Sequence, residues 1–255
     1  MPGGGAGDFR TATASTDAAA SAGWDTFCGV DRLAGRTTRW IVVLALLLVS
    51  FAVILGSAIA VGELLELAER PDGSTAFDSS VTSWTVAHRT SALTSLARAL
   101  STIGSQAVLI PVVAALFAAL LIRRRFVPGG LLFVAWGGAI LLYSLTKHFV
   151  HRPRPPADIW LTNVGMSTAF PSGHATQSLA TFLALALVVG AWLSRAGWRG
   201  RGVALVLAAG VGWSRVYLGV HWATDVGAGW LIAAAWVGAA VWVTRRAESI
   251  RTSPG

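Results

Sequence analysis

Long apolar runs separated by short polar and basic patches set the plan of this chain. A bilayer core takes about 20 residues of helix. With that length as a ruler, the pattern predicts six membrane-spanning helices, over residues 40–61, 104–122, 129–146, 172–193, 202–218 and 226–243. The fifth carries Ser214 and Arg215 near its end. Residues 1–38 mix Gly, Ala, Ser, Thr and Asp with few large apolar side chains; they cannot bury enough surface to offset chain entropy, and a disordered cytoplasmic tail is expected there. The first apolar core begins only at Trp40 and is long enough to span, so it reads as an uncleaved anchor and not a cleaved leader. Residues 39–246 then form one six-span membrane domain, and residues 247–255 a short cytoplasmic tail. The expected fold class is all-α, a polytopic helical membrane protein.

Between the first two runs the pattern changes. Residues 62–103 begin acidic and turn-rich, with Glu63, Glu66, Glu69, Pro71, Asp72 and Gly73. They then become amphipathic: Phe77, Val81, Trp84 and His88 recur at helical spacing, as do Leu93, Leu96 and Leu100. One or two short helices at the outer interface are expected. They either cover the bundle or, through Trp84, His88 and Arg89, gate the entry of a substrate.

Composition agrees with membrane residence. The chain is 54% hydrophobic and 13% charged, against about a quarter charged in soluble domains. Its 12 tryptophans suit the headgroup region. The formal charge of +8 comes almost wholly from arginine, in short clusters between apolar runs, which points to membrane orientation and away from nucleic-acid binding. Arg32, Arg36 and Arg39, then Arg123 to Arg125, then Arg195, Arg199 and Arg201, and finally Arg245, Arg246 and Arg251 all fall on one side of a six-span layout. The positive-inside rule makes that side cytoplasmic and puts both termini inside. Residues 62–103, 147–174 and 215–225 fall on the other side. Cys28 is the single cysteine, so no intrachain disulfide forms. No internal repeat supports an inverted-repeat transporter.

Three charged clusters thus share the outer side. Lys147 and Arg154 are seven residues apart; a helix continued through Arg152 would return them to nearly one face, where a lysine point charge and an arginine fork suit a tetrahedral anion. Pro171, Ser172, Gly173 and His174 open the fourth run: proline and serine suit a helix start, whose free N–H groups seat a phosphate, and Gly173 lets an oxygen approach the main chain. His174 stands beside that seat. Ser214 and Arg215 precede His221 and Asp225, which are four apart; in a helical turn the carboxylate would accept an imidazole N–H, fix the tautomer and leave the other ring nitrogen nucleophilic. Each cluster also has a bland reading, as snorkelling cations, a helix cap, or a structural His/Asp pair. Their gathering on one side at the ends of spans favours function.

Taken in order, Lys147-x6-Arg154-Pro155, Pro171-Ser172-Gly173-His174 and Ser214-Arg215-x5-His221-x3-Asp225 resemble the three-part signature of the type-2 phosphatidic acid phosphatase superfamily. That family includes bacterial undecaprenyl-diphosphate and phosphatidylglycerophosphate phosphatases and, on a shared helical core, vanadium haloperoxidases. The resemblance implies a haloperoxidase-like helical-bundle core and metal-independent hydrolysis of a membrane lipid phosphate or diphosphate at the outer face, with no cofactor. It further implies that His221 is phosphorylated and held by Asp225. His174 would protonate the leaving oxygen and then activate water, while Lys147, Arg154, Arg215, Ser172 and the Gly173 N–H bind the phosphoryl oxygens. A lipid phosphotransferase would form the same phosphohistidine. A non-catalytic lipid-phosphate binder or transporter would need the cations but not two histidines, and haloperoxidase relatives are soluble. Residues 157–170 are expected to rim the entrance and set substrate choice.

Overall fold

The computed structural model describes the backbone of residues 11–165, 168–192 and 197–252. Among these the regular elements are all helical: α1 (Thr11–Leu67), α2 (Ala76–Ala87), α3 (Ser91–Ile103), α4 (Gln106–Ile122), α5 (Phe126–Phe149), α6 (Gly173–Trp192), α7 (Gly197–Tyr217) and α8 (Ala223–Thr252), with one 3-10 turn at Ala157–Ile159. Each apolar run expected to span is built around one helix among the described residues. Of the expected tails, residues 1–10 and 253–255 lie outside the described residues, and for residues 11–37 only the helical backbone of α1 is described.

Length and composition separate these helices. Thr38–Leu67, Phe126–Phe149 and Ala223–Ala247 are long and apolar enough to cross a membrane, and α3 with α4, bent by 41° at their break, makes a fourth if read as one span. The six expected spans therefore reduce, on this measure, to three or four. The reason lies in α6 and α7. The apolar part of α6, Gly173–Val189, is short, and its first turns carry Thr176, Gln177, Ser178 and Thr181, all buried. Their hydroxyls fold back on the helix: Thr176 donates to the Ser172 carbonyl at 2.9 Å and Thr181 to that of Gln177 at 2.7 Å. Back-bonding of this kind lets polar side chains enter a dry bundle. Gln177 donates instead across the bundle, to the Gly104 carbonyl at the α3–α4 break, at 2.9 Å.

α6 is the central helix, packed against α5, α7 and α8. Small residues make that contact: Ala135 and Ala139 of α5, Ala180 and Ala184 of α6, and Ala233 of α8 are all buried. Small side chains let helices approach where lipid removes the hydrophobic drive to associate. α1 lies on α5 and α8 and presents Leu44, Leu48 and Val53 outward.

The amphipathic segment forms two helices, α2 and α3, which pack across the ends of α7 and α8. α2 begins at a capping box: Thr75 Oγ1 accepts from the Asp78 N–H at 3.1 Å, and the Asp78 carboxylate accepts from the Thr75 N–H at 3.4 Å. Between α7 and α8 the chain reverses at Gly219, whose φ of +75 is left-handed. A Cβ there would stand 2.6 Å from the Ile159 carbonyl oxygen, so both conformation and space demand glycine. This turn delivers the chain to His221.

Candidate functional site

The end of α5, the start of α6, the end of α7 and the start of α8 all lie at one end of the bundle, because each pair is joined by a reversal. Lys147 sits in the last turn of α5. Its ammonium donates to the Thr168 carbonyl at 2.5 Å and more weakly to Ala169 at 3.3 Å. α5 then stops at Phe149, and Val150 is extended. Residues that precede proline are pushed away from helical geometry, and Pro153, Pro155 and Pro156 follow. Lys147 and Arg154 therefore do not share a helical face as expected: Arg154 returns to the site on an extended segment.

Ser172 is fully buried. Its N–H donates to the Asp225 carbonyl at 3.0 Å, which ties the start of α6 to the start of α8. Its hydroxyl oxygen lies 3.5 Å from the Ala175 N–H, at the limit for a cap. Gly173 packs closely: a Cβ would stand 3.1 Å from the Tyr143 ring, which would have to give by a few tenths of an ångström. His174 follows in the first turn of α6, half-buried, and feels the charges of Arg215 and Arg154. Arg215, near the end of α7, is buried and donates from Nη1 to the Ser101 hydroxyl at 2.5 Å. Its Nε has no hydrogen-bond partner among the described residues.

His221 completes the constellation. It is 3% exposed, and its Nε2 lies 3.2 Å from Arg154 Nη1. A guanidinium can only donate, so Nε2 presents a lone pair and the ring proton resides on Nδ1. That nitrogen faces Asp225 Oδ2 at 3.5 Å. The separation is an electrostatic contact only; Nδ1 makes no hydrogen bond within the described residues. The expected pairing on one helical face is also corrected. α8 begins at Ala223, after His221, and Asp225 stands in its first turn. Asp225 Oδ2 accepts instead from the Trp222 N–H at 2.9 Å, and a carboxylate there also suits the positive end of the helix dipole. Burial holds the His221 imidazole well below the usual 6.5, reinforced by the charges of Arg154, Lys147 and Arg215 and by His174. The neighbours that set its basicity are thus the residues expected to share its site.

Residues 128–249, which hold all eight residues expected to bind phosphate or act in catalysis, match the PAP2 superfamily profile. This segment belongs to the PAP2 superfamily. Among curated relatives, phosphatidylglycerophosphatase B of Bacillus subtilis is 32% identical over 127 residues, 49% of this chain and 62% of that protein. Undecaprenyl-diphosphatase of Sulfolobus acidocaldarius is 33% identical over 140 residues, 53% of this chain and 63% of that protein. The chain thus spans less than two thirds of either relative. The crystal structure of a transmembrane PAP2-type phosphatidylglycerolphosphate phosphatase from Bacillus subtilis superposes with a TM-score of 0.65 at 25% identity, covering 78% of this chain and 98% of that one.

The PAP2 segment leans on residues that spacing alone did not select. Arg152, fully buried, meets Glu69 at 2.5 Å, Asp78 at 2.8 Å and Asp225 at 2.7 Å. Thr224 donates to Asp78 from its N–H at 3.0 Å and its hydroxyl at 2.8 Å. Glu69, Asp78 and Ser101 lie outside the PAP2 segment, in the part of the chain from α1 to α3. Burial raises the Asp78 carboxyl, but the hydrogen bonds from Thr224, Arg152 and Thr75 outweigh it and hold the group below its usual 3.8. A readable signal existed for Asp78 alone: Thr75-x-x-Asp78 ahead of an amphipathic run is a helix-start pattern.

Proposed function

We propose that this chain is a phosphatase that hydrolyses a membrane lipid phosphate or diphosphate through a phosphohistidine on His221, without a metal ion. The observation that carries the reading is the buried His221, whose Nε2 lies 3.2 Å from Arg154 Nη1, within the fields of Lys147 and Arg215. Phosphate chemistry needs positive charge where the five-coordinate phosphorus accumulates negative charge, and these cations supply it in a water-poor setting where it is worth most. The Nε2 lone pair attacks phosphorus, and the bond from phosphorus to the leaving oxygen breaks as His174 gives that oxygen a proton. His174 then takes a proton from water, whose oxygen attacks phosphorus; the P–N pair returns to Nε2 and phosphate leaves. The curated relatives are named for phosphatidylglycerophosphate and undecaprenyl diphosphate, and lipids of those two kinds are the proposed substrates.

The site lies at the bundle end opposite the α4–α5 connection, where Arg123, Arg124 and Arg125 gather. That supports an extracytoplasmic active site, cytoplasmic termini and a six-span layout in which α6 and α7 cross the bilayer inside the bundle. Phosphate release from a panel of lipid monophosphates and diphosphates, in detergent with excess EDTA, tests the reading. Sustained turnover of at least one of them is expected; a strict Mg²⁺ requirement would contradict it.

The lowered basicity of His221 has a pH signature. The neutral ring is the attacking form, and with a pKa below the ordinary 6.5 it persists as pH falls through that value. The acid limb of kcat/KM, corrected for ionisation of the substrate phosphate, should therefore lie below about pH 6, while the alkaline limb reports the groups that must stay protonated, His174 among them. An acid limb centred at or above the free imidazole value would show that His221 titrates normally.

A further inference from the structure

Arg152 is fully buried and fully engaged, and it stands beside the nucleophile without hydrogen-bonding to it. Its five N–H donors meet five acceptors: Glu69 Oε1 at 2.5 Å from Nε, Asp225 Oδ1 at 2.7 Å and Thr224 Oγ1 at 2.6 Å from Nη1, and Asp78 Oδ2 at 2.8 Å and the Gly73 carbonyl at 3.3 Å from Nη2. No donor is left for a phosphate. In this Arg152 differs from Arg154, two residues on, whose Nη1 reaches His221.

We propose that Arg152 is a positioning residue for the reaction: anchored by Glu69 and Asp78, it fixes the Asp225 carboxylate behind His221 and so sets the aim of Nε2. This rests on the reading of His221 as nucleophile.

The carboxylate is fixed from two sides. Arg152 takes Oδ1 and the Trp222 N–H takes Oδ2, so the plane of Asp225 cannot turn, and Oδ2 is the oxygen that faces His221 Nδ1. The backbone repeats the grip. The Pro153 carbonyl accepts from Trp222 Nε1 at 2.9 Å, and Arg154 Nη1 donates to the Val220 carbonyl at 2.6 Å. Residues 152–154 thereby hold the chain on both sides of His221. At the far end, the His151 N–H donates to Glu66 Oε1 at 2.7 Å, so the end of α1 secures the segment at two adjoining residues. Charge favours the same arrangement. Glu69, Asp78 and Asp225 all meet the one guanidinium, so its charge offsets that of the carboxylate it holds behind His221. A lysine here would keep the charge and lose the planar fork that meets several oxygens at once.

The test uses the full-length protein in detergent. Arg152→Lys is expected to lower kcat about 10–100-fold, the range seen when a residue orienting a reactive group is lost, with KM within about twofold of the original. Phosphohistidine formation measured by rapid quench should fall in parallel. A merely structural role would lower Tm and yield while leaving kcat per folded molecule unchanged, and that result overturns the proposal. A loss confined to KM also overturns it, since it would place Arg152 on the substrate. Glu69→Gln, which keeps an acceptor oxygen and removes a charge that touches only Arg152 among the reaction's residues, carries the test if Arg152→Lys fails to fold. A smaller drop in kcat at unchanged KM is expected, and wild-type kcat overturns the proposal. An active His221→Ala would sink the nucleophile reading itself, whereas an inactive one beside a fully active Arg152→Lys sinks only the positioning role.

Discussion

His221→Ala is expected to reduce phosphate release by at least about 10³-fold, the scale on which enzymes fail when a covalent nucleophile is removed. The substitution also removes a buried ring, but stability should not confound the result. His221 lies on the turn between α7 and α8 and donates no hydrogen bond through Nδ1 among the described residues. The helices around it are joined by other contacts, such as the Ser172 N–H to the Asp225 carbonyl at 3.0 Å. A folded, substrate-binding and inactive variant is the expected outcome, measured as phosphate release beside a binding assay with the same lipid. Residual turnover near the original rate would mean that another group attacks phosphorus, or that water does so directly.

The second large effect concerns His174, and its size should depend on the leaving group. Expelling a lipid alkoxide from a monophosphate needs a proton far more than expelling phosphate from a diphosphate does, because the alkoxide is much the stronger base. General-acid catalysis contributes about 10²–10⁴-fold. His174→Ala should therefore approach the upper part of that range on a lipid monophosphate and lose less on a diphosphate, with an aryl phosphate close to the diphosphate. Equal losses on all three would leave His174 as a phosphate ligand and not the acid. It stands in the first turn of α6, half-buried, directly after Ser172 and Gly173.

Much of this site could be read from the chain because its chemistry is written in short, local signals. Pro171 to His174 marks a helix start, and α6 begins there. Lys147, Arg215, His221 and Asp225 lie at the ends of apolar runs, where ionisable groups are costly and call for explanation. Local periodicity misled where proline intervened: Lys147 and Arg154 converge on His221, but through an extended segment after Phe149 and not along one helix. The same limit applies to Asp225, which sits in α8 while His221 does not.

What spacing could not show were the long-range partners. Arg152 binds Glu69 and Asp78 across 83 and 74 residues of chain, and Arg215 reaches Ser101 across 114. Such contacts come from the packing of α2 and α3 on the bundle, which leaves no periodic trace. The span count turns on similar groups: the sequence reads as six runs, and three or four of the described helices are long and apolar enough to cross a membrane. The hydropathy of α6 and α7 is diluted by groups such as Gln177 and Arg215, which the bundle buries and bonds.

The central claim is a covalent bond between phosphorus and His221 Nε2, and rapid chemical quench with a radiolabelled lipid phosphate, followed by peptide mapping, tests it most directly. The account predicts a phosphoryl group that is stable to base and labile to acid, on the peptide containing His221, formed and lost at rates consistent with kcat. A protein that turns over the lipid while no label is found on His221 at any quench time, with inversion of configuration at a chiral phosphate, would contradict it.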